Sequence, residues 1–272
     1  MTTGMDWRAQ VGSSWAEMYQ QTDRAFTGLT QRLLERVTAR AGGAVLDIGC
    51  GAGELSLAIA RSRPRAQVIG LDVSADLITV AQERAINHTN AEFTLGDAAA
   101  WQREGFAPDL LVSRHGVMFF DDPLGAFTHL RGISASGASL VFSCFRTPRE
   151  NRWAADIAEL LGLAPSTDPH APGPFAFADP QYVEPILAAA GWLEIDFEPV
   201  DFAYIAGMGS DPVSEAAAFF SRIGPAATAL RELKGDARTQ AEGRITEWLE
   251  NHRSGYLVAL GAAAWIVTAR AS

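Results

Sequence analysis

Apolar residues recur along the chain with two different periods. Between 12 and 41, Trp15, Tyr19, Phe26, Leu29, Leu33 and Leu34 fall at roughly three- and four-residue steps. That spacing marks one face of a helix and predicts two helices, with Asp23 placed to cap the second and Gly42-Gly43 ending the pattern. From residue 44 the rhythm changes to short apolar runs separated by helix-spaced stretches. Strands are predicted at 44–48, 67–72, 92–95, 109–113 and 138–145, with helices at 53–62, 75–87 and 122–133 between them. Strands alternating with single helices predict βαβ units and a parallel sheet. The strands are nearly continuous apolar runs, as a sheet covered by helices on both faces requires.

After residue 145 the alternation loosens. A helix is predicted at 149–161, then a Pro/Gly-rich loop at 162–178, a helix at 180–190 and a strand at 192–200. A long helical insertion, about 211–253, precedes a final strand at 256–267. No repeat or low-complexity linker interrupts the chain. The simplest organisation is one doubly wound α/β domain at 43–272, with an N-terminal helical cap at 1–42 and lid segments at about 149–178 and 205–253.

Charge and cysteine content narrow the partners. Acidic residues outnumber basic ones 32 to 22, a net charge of −10, which disfavours a nucleic-acid partner. Arg61, Arg63 and Arg65 cluster between a helix and a strand and read as a solvated turn. The two cysteines, Cys50 and Cys144, have no partner at metal-ligand or redox spacing and read as small buried residues in a reducing compartment. The N-terminus has no apolar signal core, and the run 256–267 is too short to span a bilayer. A cytoplasmic protein with no membrane partner is expected, as a monomer or homodimer.

The most informative segment is V-L-D-I-G-C-G-A-G-E-L, residues 45–55. It lacks the Lys-Ser/Thr of a Walker loop, and its glycines alternate strictly rather than following G-x-G-x-x-G. Alternate glycines leave no side chain between the backbone and a flat ligand. Asp47, two residues ahead of Gly49, favours a cationic amine and disfavours a pyrophosphate. The second strand ends at Asp72, where an acid hydrogen-bonds ribose hydroxyls, and the third is followed by Asp97, placed to accept from an exocyclic adenine amine. A parallel sheet brings all three carboxylates to one edge. An amine, a ribose and an adenine read in turn describe S-adenosylmethionine (SAM). Each acid has a structural alternative, as a cap or turn residue. Trp101 either stacks near the adenine or packs a helix.

V-L-D-I-G-C-G-A-G, L-D-V-S and G-D-A-A-A-W resemble the first three motifs of the class I SAM-dependent methyltransferases, and D-L-L-V-S-R-H-G-V-M-F-F agrees with their fourth-strand segment. The resemblance covers residues 44–145 and is closest to the ubiquinone/menaquinone-biosynthesis-like, small-molecule group. It implies a Rossmann-like, seven-stranded, mostly parallel sheet whose last strand is antiparallel, a role that 256–267 fits. It also implies SAM as methyl donor and S-adenosylhomocysteine as product. Cofactor contacts are expected from Asp47, Gly49, Cys50, Gly51, Gly53, Asp72, Val73, Asp97, Ala98 and Ser113.

Methyl transfer from a sulfonium needs alignment and exclusion of water first, and a base only when the nucleophile holds its proton tightly. His115, just past the fourth strand, is either such a base or a packing residue. Tyr19 and Arg146 are further polar candidates at the reacting end, and His170 in the Pro-rich loop is a second histidine candidate. His88, His129 and His252, in helices or at their ends, read as structural. Trp7, Trp15, Tyr19, Met118, Phe119, Phe120, Trp153, Phe175, Phe177 and Phe219-Phe220 lie outside the parallel-sheet core. Of these, Trp15, Tyr19, Met118, Phe119, Trp153 and Phe175, with His170, are the expected walls of an apolar, aromatic acceptor pocket.

Asp121-Asp122-Pro123 reads as a helix cap rather than a metal site, so metal-independent chemistry is expected. Nucleobase and glutamine acceptors are disfavoured because no N/D-P-P-Y/F/W turn follows the fourth strand. Two functions stay open: methyl transfer to a small molecule, oxygen before nitrogen or carbon, or a SAM-binding fold that cyclises, eliminates or only binds.

Overall fold

The computed structural model describes residues 7–164 and 166–272; residues 1–6 of the expected cap lie outside them. Three helices open the described chain where the periodicity predicts two: α1 (Gln10–Glu17), α2 (Tyr19–Ala25) and α3 (Thr27–Thr38). Met18 and Phe26 interrupt the helical runs and are themselves buried. Asp23 is not a cap, because Phe26 occupies the position before α3. Its carboxylate is held instead by Arg84 at 2.8 Å and Arg114 at 3.6 Å.

Along α3, Leu29, Leu33 and Val37 recur every four residues and bury one stripe against the sheet. Each such side chain contributes about 1.5–3 kcal/mol on burial. The C-terminal carbonyls of this region are met by Arg63, whose guanidinium donates to Val37, Arg40 and Gly42. Arg63 therefore closes a helix end rather than sitting in solvent.

The strands are β1 (Ala44–Ile48), β2 (Gln67–Asp72), β3 (Ala91–Leu95), β4 (Leu110–Arg114), β5 (Ser139–Phe145), β6 (Trp192–Met208), β7 (Arg253–Ser254) and β8 (Leu257–Ala271). Between them run α4 (Glu54–Ser62), α5 (Ala75–Arg84), α6 (Pro123–Ile133), α7 (Arg152–Leu160), α8 (Pro180–Ala189), α9 (Pro212–Phe220), α10 (Pro225–Glu232) and α11 (Gly235–Glu250). The sheet order is β3-β2-β1-β4-β5-β8-β6, with the two-residue β7 pairing β8. The first five are parallel, and β8 runs antiparallel to β5 and β6. This is the doubly wound, mostly parallel sheet that the alternation predicts. The chain order reverses between β1 and β4, and open α/β sheets bind ligands beyond the strand ends at such a point.

β6 runs to Met208 instead of stopping near 200. Pro199 is accommodated because β6 is the sheet's edge strand, where a missing ladder donor is tolerated. The extension carries Phe202 and Tyr204 inward, where they share one core with Met18, Phe26 and Leu29 of the N-terminal helices. Asp122 caps α6 by accepting from Gly125 N–H at 3.0 Å, ahead of Pro123, as its sequence position predicts.

Candidate active site

The chain leaves β1 through Gly49, Gly51 and Gly53, with φ of +64°, +55° and +83°. At Gly49 a Cβ would lie 2.8 Å from the Gly116 Cα, so any side chain there would push apart the exits of β1 and β4. Gly51 has no heavy atom within 4 Å of its missing Cβ and presents bare backbone to open space. Gly53 starts α4 and gives its side to the Phe93 ring. The Cys50 N–H donates to Leu71 O at 2.8 Å and fixes the loop to β2.

Two carboxylates hold this turn from opposite ends. Asp72 accepts from Gly51 N–H through Oδ2 and from Ser74 N–H through Oδ1, each at 2.9 Å. Burial raises its pKa, and those backbone donors oppose the rise. Asp47 is 1% exposed; its Oδ2 accepts from Ser56 Oγ at 2.5 Å, while its buried Oδ1 has no partner among the described residues. Burial pushes Asp47 up to about 6 against the pull of Ser56 and Arg114. Asp97 is more open, accepting from Ala99 N–H at 3.0 Å and facing Arg8 at 3.5 Å.

A cavity of about 630 Å³ runs from these acids to the interior beneath the N-terminal helices. Its inner wall is aromatic: His115 stacks on Phe145 at 4.1 Å, Phe145 meets Trp153 at 5.5 Å, and Trp153 stacks on Tyr204 at 4.9 Å. Phe26 closes the series, 5.2 Å from both Tyr204 and His115. His115 holds a left-handed φ of +65°, its N–H donating to Ser143 O at 3.1 Å. Its Nδ1 lies 3.5 Å from Ser143 Oγ, and its buried Nε2 has no partner among the described residues. Burial, then the neighbouring Arg114 charge, lowers its pKa to about 3, so the ring is neutral at physiological pH. Arg114 is itself engaged by Glu54, Thr30 and Asp23 and lies over the Phe26 ring at 5.2 Å.

The cavity wall brings together most of the expected site residues. Asp47, Gly49, Cys50, Gly51, Asp72, Val73, Asp97 and Ala98 line it, and so do Trp15, Tyr19, His115, Met118, Phe119 and Trp153. Five expected residues are not on that wall. Gly53 faces Phe93. Ser113 spends its hydroxyl bracing the loop, donating to Ile48 O at 2.7 Å and accepting from Gly116 N–H at 3.0 Å. Arg146 is drawn to Glu150 and Asp201 and stacks over Trp265. His170 stacks on Tyr182 at 3.7 Å, and Phe175 packs behind the wall, 5.8 Å from Phe145. Trp101 packs edge-on against Phe106.

The wall also contains residues the sequence reading did not select for the site: Thr22 and Asp23 on α2, Phe26 just after it, Arg114, Phe145, Tyr204 and Ile223. Only Tyr204 left a trace, as an inward position of the alternation that continues past Val200.

A family model described as a methyltransferase domain, Methyltransf_25, matches residues 45–136. The chain is 32% identical over 123 residues to the trans-aconitate 2-methyltransferase of Variovorax paradoxus, covering 45% of this chain and 46% of that protein. It is 31% identical over 105 residues to the malonyl-[acyl-carrier protein] O-methyltransferase of Halalkalibacterium halodurans, covering 38% and 39%. The match thus spans less than half the length of these relatives. Among solved structures, the fold is similar to the [4+2]-cyclase SpnF, with a TM-score of 0.59, 17% identity and coverage of 97% and 96%. It is also similar to YcgJ of Bacillus subtilis, with a TM-score of 0.54, 17% identity and coverage of 88% and 96%. Residues 45–136 thus match a methyltransferase-domain family, the segment that carries the glycine loop and the three acids.

Proposed function

We propose that the chain transfers the methyl group of SAM to a nucleophilic atom of a small, apolar or aromatic molecule, oxygen first, nitrogen or carbon otherwise. The observation that carries this reading is the continuity of one cavity from the three strand-end acids to a buried aromatic chamber. The residues suit the cofactor. Asp47 keeps an unpartnered buried oxygen for a cationic amine, and Gly51 offers bare backbone beside it. Asp72 and Val73, on the same wall, are assigned to the ribose, and Asp97 and Ala98 to the adenine.

SAM brings a methyl already activated by its sulfonium, so the chain's own work is alignment and dryness. Trp15, Tyr19, Met118, Phe119 and Trp153 are assigned to holding the acceptor. A group held near 3 is a poor resting base. His115 is therefore assigned the hydroxyl proton only as the acceptor oxygen becomes positively charged, not beforehand. Arg146, His170 and Phe175 are assigned no contact with the reactants.

The acceptors named for the two curated relatives, trans-aconitate and a malonyl group, are carboxylates. Here the cations on the cavity wall, Arg8 and Arg114, are already paired with Asp97 and with Asp23 and Glu54, which supports a different acceptor. Residues 1–42, 149–178 and 205–253 are assigned as cap and lids over the domain at 43–272, supported by Trp15, Trp153, Pro174 and Ile223 on the wall. A cytoplasmic setting is supported by two free, buried cysteines. No described helix is long and apolar enough to cross a membrane.

The test is release of S-adenosylhomocysteine with a panel of phenols, quinols, amines and hydroxylated lipids. A methylated product in equal amount supports methyl transfer. In the competing function, cyclisation in the same cavity gives a product of unchanged mass and elimination one lighter by the group expelled, and neither gains the methyl.

A further inference from the structure

We propose that the inner chamber selects an uncharged ring compound bearing a hydroxyl, read by His115 Nε2 and Thr22 Oγ1, and rejects carboxylates and ammonium ions of the same ring. The inference rests on the functional reading above and names the acceptor class of that site.

Polar atoms buried without a partner cost about 1–3 kcal/mol each, so a group that supplies the partner recovers that cost. Four such atoms belong to residues on this one cavity: Trp7 Nε1, Thr22 Oγ1, Asp47 Oδ1 and His115 Nε2. Asp47 faces the strand-end acids and is taken by the cofactor. His115 and Thr22 are 8% and 4% exposed and border Phe26, well inside the aromatic wall.

The chemistry of Nε2 decides what satisfies it. A neutral imidazole nitrogen is an acceptor in one tautomer and a donor in the other. A hydroxyl meets either form, because it both donates and accepts. A carboxylate meets only the N–H form, and an ammonium only the lone-pair form. Thr22 Oγ1, itself a donor and acceptor, has the same breadth.

Charge points the same way. A charged ligand in a dry chamber needs an opposite charge not already satisfied. The cation nearest the chamber, Arg114, is bound by Glu54 and Asp23, and the anion there, Asp23, is bound by Arg84 and Arg114. Neither is free for a ligand. Phe26, Phe145, Trp153 and Tyr204 supply flat apolar faces suited to a ring.

The test uses the full chain saturated with S-adenosylhomocysteine and four matched probes: naphthalene, naphthol, naphthoate and naphthylmethylammonium. Binding is read by calorimetry or tryptophan fluorescence. Naphthol should bind about tenfold or more tighter than each of the others, the equivalent of one hydrogen bond or one buried charge. His115→Leu should bring naphthol most of the way down to naphthalene, leaving what Thr22 Oγ1 contributes, while His115→Asn, tolerated in the left-handed region, should keep more of the preference. Naphthoate or the ammonium binding as tightly as naphthol would overturn the inference. So would a naphthol-to-naphthalene ratio unchanged in His115→Leu, or no ring binding by a chain that binds S-adenosylhomocysteine. Failure to bind S-adenosylhomocysteine at all would instead overturn the functional reading beneath it.

Discussion

Gly12, in the middle of α1, is the contact through which the N-terminal helices close on the cofactor end of the cavity. It is buried, and a Cβ there would stand 2.2 Å from Ser74 Oγ and 2.3 Å from the Trp7 carbonyl oxygen. Ser74 has little room to yield: it is 2% exposed, caps α5, and its N–H is held by Asp72 at 2.9 Å. Gly12→Ala therefore moves α1, which carries Ser13 away from Asp76 and withdraws Trp15 from the cavity wall. Overpacking of this kind costs about 1–3 kcal/mol. Alanine returns about 1 kcal/mol over glycine through helix propensity. The closed state should lose about 1 kcal/mol, roughly a fivefold weakening of SAM binding. Gly243→Ala in α11, where no atom lies within 4 Å of the added carbon, is the control. It should raise stability by about 1 kcal/mol and leave SAM affinity alone. Calorimetric titration of the three proteins with SAM is the assay. A Gly12→Ala chain that binds SAM as tightly as the parent would refute the role of α1 as a closing element.

Asp72→Ala removes the acceptor of two backbone donors, Gly51 N–H and Ser74 N–H, and should abolish measurable SAM binding in a protein that still folds; retained affinity would contradict the ribose assignment. Asp47 is raised to about 6 by burial, so its protonated form stabilises the free protein below the ordinary carboxylate range. That contribution is lost as pH rises through about 6. A bound amine favours the ionised form, so SAM should bind roughly tenfold more tightly per pH unit from 5 up to about 6, with proton release visible in buffers of different ionisation enthalpy. A pH-independent affinity over that window would count against the contact. For His115, faced by Arg114, Phe26, Phe145 and, across the chamber, Asp23 and Tyr204, kcat/KM for the acceptor at saturating SAM should show no histidine inflection between pH 6 and 8, since its ring stays neutral down to about 3. An inflection there that disappears in His115→Asn would show a resting base instead.

Most of the sheet could be read from sequence because its determinants are local. Continuous apolar runs bounded by helix periods marked β1 to β5, and the alternating glycines marked the left-handed turn that leaves β1. What stayed hidden depends on packing between distant segments. A strand was expected only to residue 200, yet β6 continues to Met208 along its pairing with β8 and brings Tyr204 to the chamber. Asp23 suggested a cap, but its charge is consumed by Arg84 and Arg114, sixty-one and ninety-one residues away. Arg146 and His170 were plausible by residue type and by neighbourhood in sequence. Neighbouring acids drew the first aside, and Tyr182 the second. Side-chain direction of this kind is set by whichever partner lies closest in space, and a linear pattern carries no record of it.

The most direct measurement is a single-turnover reaction with isotopically methyl-labelled SAM and naphthol, followed by mass spectrometry of both products. Methyl transfer requires S-adenosylhomocysteine and labelled methyl ether to appear together and in equal amounts, and both to vanish in Asp72→Ala. SAM bound tightly and recovered intact, beside an acceptor that is unchanged in mass, would contradict it.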